Sequence, residues 1–285
     1  MEYTKRNISA AKKTKTRKYR KLLVRCCPAV AVIILAFFCC CWVLQYLASD
    51  LDMVLPEEVT RSEGFESNIQ GKSGLSLPLY GVPVFLQKPE LPTGCEATAA
   101  AMLLTAYGYD VDKETFAQAM PKSSFVIYGG RTYSAHPNDA YIGNPSSSYG
   151  YGAFARVTAQ TMQDLIDSAN GNHCAVDITG SSEKEILNYI DHGSPVCIWS
   201  TVDLLPVGES GSWYIKKGSI YTDEYFQWPR NEHCMVLVSY DEETVTVHDP
   251  LKGICSYSRD TFFQRYMNVG QYAVVLKPEN KMSAE

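Results

Sequence analysis

Nineteen consecutive residues without a charge, Cys26 to Leu44 (CCPAVAVIILAFFCCCWVL), constrain this chain more than any other feature. Such a run is close to the ~20 apolar residues that cross a bilayer as a helix, and Trp42 and Tyr46 stand where an interfacial aromatic belt falls. Charge is divided around it. Residues 1–25 hold ten Lys and Arg against Glu2 alone, a net of +9, while the other 16 basic and 30 acidic residues give a net of −14. A basic flank keeps the N-terminus in the cytoplasm and sends the rest of the chain outside. The same split argues against a nucleic-acid-binding surface. A cleaved signal peptide competes, with small residues at Ala48-Ser49, but this apolar core exceeds the ~7–15 residues of a signal core. The expected organisation is a basic cytoplasmic tail (1–21), a transmembrane signal anchor (22–47), an acidic extracytoplasmic stalk (48–76), one folded domain (77–278) and a short tail (279–285).

Five of the ten cysteines belong to the apolar run, and none forms a Cys-x-x-Cys metal or redox motif, so neither a metal nor a cofactor is expected. Outside it lie Cys95, Cys174, Cys197, Cys234 and Cys255. Were Cys95 kept free for chemistry, the other four could form two disulfides or none. Cys95 stands out by context. Good helix formers fill Ala97 to Tyr107, Gly108 is placed to end the helix, and Thr93 and Glu96 have capping-box spacing. Cys95 then falls in the first helical turn, where free N–H groups and the helix dipole favour a thiolate. The plain alternative is a small buried hydrophobe.

Further elements follow in order. Asp112 can cap a helix through Met120, and a long connection runs from Pro121 to Arg156. Its Gly143-Asn144-Pro145 and Tyr149-Gly150-Tyr151-Gly152 pieces are candidates for a cleft wall. Met162 to Ala169 reads as a helix, His173 to Ile178 as a strand, and Ser182 with Glu185 as a capping box opening a helix to His192. Pro195–Thr201, Met235–Tyr240, Thr244–His248 and Gln271–Leu276 read as strands, separated in part by an aromatic excursion over 204–230. Helices first and strands later favour an α+β fold.

A second chemical pair emerges from the Met235–His248 hairpin. With Asp241-Glu242-Glu243 as a three-residue turn, Tyr240 pairs with Thr244 and Met235 falls opposite Asp249. His233 then shares a sheet face with Asp249, one diagonal step away, close enough for a hydrogen bond. Asp249 would orient His233 as the third member of a catalytic triad does. His248 alternates to the other face.

Gln87, eight residues before Cys95 in the setting Gln-x-x-x-x-x-Thr-Gly-Cys-Glu-Ala-Thr, together with His233-x-x-Val-Leu-Val-x-Tyr-Asp and Asp249-Pro250-Leu251-x-Gly253, resembles the bacteriocin-processing, double-glycine leader cysteine peptidases. The similarity is greatest to their solitary extracytoplasmic relatives and covers about 77–276. It implies a papain-like fold, with a helix carrying Cys95 as nucleophile and an antiparallel sheet carrying His233 as general base and Asp249 as its orienting partner. Gln87 would supply an oxyanion-hole donor. No Gly-x-x-x-x-Gly-Lys-Ser/Thr motif follows, so the chain is not the peptidase part of an ATP-driven exporter. The expectation is a membrane-anchored extracytoplasmic cysteine peptidase acting on a peptide or protein substrate. An idle peptide- or cell-wall-binding module, with 213–228 as its surface, and a peptidoglycan cross-bridge hydrolase are the alternatives.

Overall fold

The computed structural model describes residues 81–279. The expected tail, anchor and stalk (1–21, 22–47 and 48–76), the domain start at 77 and all but Glu279 of the C-terminal tail lie outside them. Among the described residues no helix is long and apolar enough to cross a membrane.

The first helix, α1 (Cys95–Ala106), starts two residues earlier than its composition suggested and ends where Gly108 takes a positive φ of 87°. Nine of its twelve residues are apolar and nearly all are buried, so it is a core helix with no solvent face. Asp112 caps α2 (Lys113–Ala119), its side chain accepting from Thr115 N at 2.6 Å. The connection then forms short strands: β1 (Lys122–Ser123), β2 (Val126–Tyr128), β3 (Arg131–Ser134) and β4 (Tyr141–Ile142). Next comes α3 (Ala155–Ser168), two turns longer at its start than expected, because Phe154 and Ala155 bury into the core. β5 (His173–Asp177) and α4 (Glu183–Asp191) match their signals, and the Ser182/Glu185 capping box is complete.

β6 (Val196–Thr201) is buried at every residue. The aromatic excursion is a long hairpin, β7 (Gly208–Lys217) and β8 (Ile220–Arg230). β9 (Glu232–Tyr240) and β10 (Thr244–Asp249) follow. Two elements had no clear sequence signal: β11 (Gly253–Ser258) and α5 (Arg259–Val269), which precede β12 (Ala273–Pro278).

Six strands form one antiparallel sheet in the order β11-β10-β9-β6-β12-β5. Alternation along each strand divides its side chains between two cores. On one face Cys197, Trp199, Cys234 and Val236 pack with α1, α2 and α3. On the other, Ile198, Met235, Leu237 and Val247 pack with Ile186 of α4 and Phe262, Phe263 and Tyr266 of α5. This is the expected α+β class, although helices and strands alternate more than the order "helices first" implied. A second sheet, β2-β3-β7-β8, carries the hairpin, and β1 pairs with β4.

The segment 213–228, offered above as the surface of the alternative binding module, is only partly surface. Trp213 and Trp228 are buried in the α1-side core and pack with Phe226 and Tyr151. Only intervening residues such as Tyr225 face outward.

Candidate active site

Cys95 is the first residue of α1 and Gly94 its N-cap. Glycine is required there, since a Cβ at 94 would lie 2.7 Å from that of Leu91. The capping box expected from Thr93 and Glu96 does not form. Thr93 instead ties its loop to the segment after β4: its hydroxyl donates to Ser147 O at 2.8 Å, and its amide to Pro145 O at 3.2 Å. Tyr141 OH donates to Thr93 O at 2.5 Å. The Tyr-Gly-Tyr-Gly stretch fits against this clasp because a Cβ at Gly150 would collide with Thr93 and Tyr141. The 143–152 segment therefore buttresses the loop that carries Cys95.

Glu96, freed from capping, is fully buried. Its Oε1 accepts from Ala153 N at 2.7 Å and its Oε2 from the Cys95 thiol at 3.3 Å. Burial raises its pKa to about 7, against the opposing pull of those donors. Glu232 approaches from the start of β9. Cys95 Sγ and one carboxylate oxygen from each glutamate all lie within 4.8 Å of one another. Burial and then the Glu96 charge push the Glu232 carboxyl well above its usual range, and its Oε1 is buried with no hydrogen-bond partner.

These neighbours reverse an expectation. The helix N-terminus was to favour a thiolate, but burial first, then Glu96 and Glu232, push the Cys95 thiol well above its ordinary pKa. The Cys234 N–H opposes them by donating to the sulfur. Two nearby carboxylates and desolvation outweigh half a unit of dipole charge. Cys95 rests as a thiol against β9.

His233 and Asp249 meet as the hairpin count predicted, by a different route. Tyr240 pairs with Val245 rather than Thr244, one residue out of the expected register. A bulge at Val238 then absorbs the extra residue, since Ser239 faces Thr246 and Leu237 faces Val247. Counting on from Val236 opposite His248 sets Met235 opposite Asp249. His233 Nε2 and Asp249 Oδ1 are 2.7 Å apart, and both side chains are only 2% exposed. Asp249 is held on both oxygens: Leu251 N donates to Oδ1 at 2.7 Å and Tyr257 OH to Oδ2 at 3.1 Å. Burial alone would raise its pKa, but the His233 bond and these donors hold it below the usual carboxylate range. His248 bonds Pro83 O through Nδ1 at 3.1 Å, apart from this pair.

Gln87 is buried, and its backbone N–H donates to Pro250 O at 2.8 Å, joining its loop to the turn after Asp249. Its Nε2 donates to Pro92 O at 2.9 Å. The structure thus brings His233 and Asp249 into direct contact and docks Gln87 on the same turn. Cys95 reaches β9 at Cys234, next to His233 in the chain, and its sulfur bonds Glu96 rather than the imidazole.

Glu96, Glu232 and Tyr257 escaped sequence reasoning. Glu96 carried a signal that pointed to capping, and Glu232 has no local pattern linking it to a residue 136 positions away. Cys174, Cys197, Cys234 and Cys255 are free thiols, with Cys197 and Cys234 Sγ atoms 3.3 Å apart.

The sequence profile of the Peptidase_C39 like family matches residues 79–274. The uncharacterized protein YvpB of Bacillus subtilis (strain 168) is 28% identical over 194 residues, spanning 67% of this chain and 72% of YvpB. A crystal structure from Bacillus anthracis, named provisionally as a C39-like peptidase, matches with a TM-score of 0.62 and 29% identity over 74% of this chain and 100% of its own.

Proposed function

The chain belongs to the Peptidase_C39 like family, and on that premise we propose that it is a membrane-anchored extracytoplasmic cysteine peptidase. The observation that carries the reading is the buried 2.7 Å bond between His233 Nε2 and Asp249 Oδ1, beside a cysteine at a helix N-terminus. Asp249 fixes the imidazole so that its other nitrogen serves a nucleophile. To act, the Cys95 sulfur exchanges its bond to Glu96 for one to the free imidazole nitrogen. His233 takes the thiol proton as sulfur attacks the scissile carbonyl, then returns it to the departing amine. Water hydrolyses the resulting thioester by the reverse proton path. Gln87 has two amide hydrogens. One is held by Pro92 O, which fixes the amide plane, and the second is the donor for the developing oxyanion. The anchor over 22–47 keeps this chemistry outside the cell.

The test is turnover of a fluorogenic peptide library by the full chain, with a peptidyl vinyl sulfone to trap the nucleophile and mass analysis to locate it. Cys95→Ala and His233→Ala should abolish turnover. Gln87→Ala should lower it about 10²–10³-fold, the usual cost of one oxyanion donor, with iodoacetamide alkylation of Cys95 retained. Undiminished cleavage by Cys95→Ala sinks the proposal.

A second reading rests on the sulfur's bond to Glu96: an idle thiol in a peptide- or cell-wall-binding module. Saturable binding of peptides or purified cell wall, with neither digestion nor trapping at Cys95, would favour it.

A further inference from the structure

Two carboxyl groups and a thiol share the space beneath the start of β9, and among the described residues neither Glu96 nor Glu232 takes part in an ion pair. A buried carboxyl group without a partner is costly, and coordination to a metal is one of the ordinary ways it is satisfied. Glu96 is fixed in place by the Ala153 N–H at 2.7 Å, so one ligand is already oriented from behind. Glu232 adds an independent observation: its Oε1 is shut off from solvent yet has no hydrogen-bond partner.

We infer that Cys95, Glu96 and Glu232 form a binding site for a thiophilic divalent cation of the zinc type. The geometry suits such an ion. Three ligand atoms within 4.8 Å of one another share a point no more than about 2.8 Å from each, and shifts of about 0.5–0.8 Å give the ~2.3 Å Zn–S and ~2.0–2.2 Å Zn–O distances. A soft sulfur with two carboxylates excludes the hard, oxygen-seeking magnesium and calcium ions and leaves a fourth position for water. Binding forms one metal–sulfur and two metal–oxygen bonds and releases to solvent the thiol proton together with any proton held on Glu96 or Glu232, so the metal replaces protons and no electron is transferred. Resting on the peptidase reading, the consequence is reversible inhibition: a sulfur bound to the ion is unavailable to a substrate carbonyl.

The experiment uses the full chain, stripped with EDTA and desalted. Zinc chloride is titrated against a chromophoric chelator, and iodoacetamide labelling of Cys95 is followed by peptide mass with and without zinc. The expected results are one equivalent of zinc bound, labelling slowed at least tenfold, and full recovery on adding EDTA. Glu232→Gln should label readily without metal and lose at least tenfold in zinc affinity together with the protection. Equal protection in wild type and Glu232→Gln, none in wild type, or the same protection from magnesium would overturn the site. Vinyl sulfone trapping in EDTA separates the two ideas. Zinc binding without trapping keeps the site and removes the peptidase, whereas trapping and turnover indifferent to zinc do the opposite.

Discussion

Asp249 receives three hydrogen bonds, from His233, Leu251 and Tyr257, and its stability contribution has a definite sign with pH. Its folded pKa lies below the ordinary value, so the folded state favours the carboxylate and the contribution is present above the unfolded pKa of ~3.9. It is lost as pH falls through the folded value. The stability gap between wild type and Asp249→Asn, read by urea unfolding, should therefore be wide at pH 7 and narrow steadily below about pH 4. A gap that stays constant would show that the carboxylate is not specially stabilised. Tyr257→Phe removes one donor to a charged acceptor and should cost about 1.5–3 kcal/mol at pH 7, with the narrowing displaced to higher pH. The His233–Asp249 contact was legible because both residues sit in short motifs. Tyr257 was not, because nothing local distinguishes a tyrosine on an unrecognised strand, and its partner lies across a turn.

Elements were legible where their signals are local. Ser182 with Glu185, Asp112, and the apolar β6 announced themselves through capping chemistry and unbroken hydrophobicity. β11 reads GICSYS, exposed at every second residue, and α5 carries five polar or charged residues in its first seven, so neither shows a strong apolar run. The hairpin was read in the right phase at His233 and the wrong phase at its turn, since a bulge cannot be counted from sequence. Given that bulge, deletion of Val238 should leave Val236 opposite His248 and preserve the His233–Asp249 pair, keeping turnover within about tenfold of wild type. Deletion of Val236 instead moves His233 to the opposite face from Asp249 and should abolish turnover. The same peptide assay on both proteins, with circular dichroism to confirm folding, checks the register.

At the scale of the whole molecule, the two sheets are joined by aromatic packing rather than by strand pairing. Phe154, ahead of α3, stacks on Trp228 at 5.3 Å and on Tyr272 at 4.0 Å, linking the hairpin to β12. Trp213→Ala should cost about 3–5 kcal/mol, the usual range for an aromatic removed from a core. Tyr225→Ala, at a residue 56% exposed, should stay within about 0.5 kcal/mol. Denaturant midpoints for the two variants distinguish a core from a docking surface, and near-equal losses would count against the division. The aromatic excursion looked like a surface because tryptophan and tyrosine are common to both roles; only tertiary contacts tell them apart.

Thr201, the last residue of β6, pairs directly with Glu232, the first of β9. Every residue of the β7–β8 arm is thus spliced between two strands that are already neighbours, and the six-strand ladder runs past the splice unbroken. In evolutionary terms this is a graft point. The arm's length and tip are free to diverge between lineages while the histidine and aspartate stay in place, provided each new arm brings apolar side chains to fill the positions of Trp213 and Trp228.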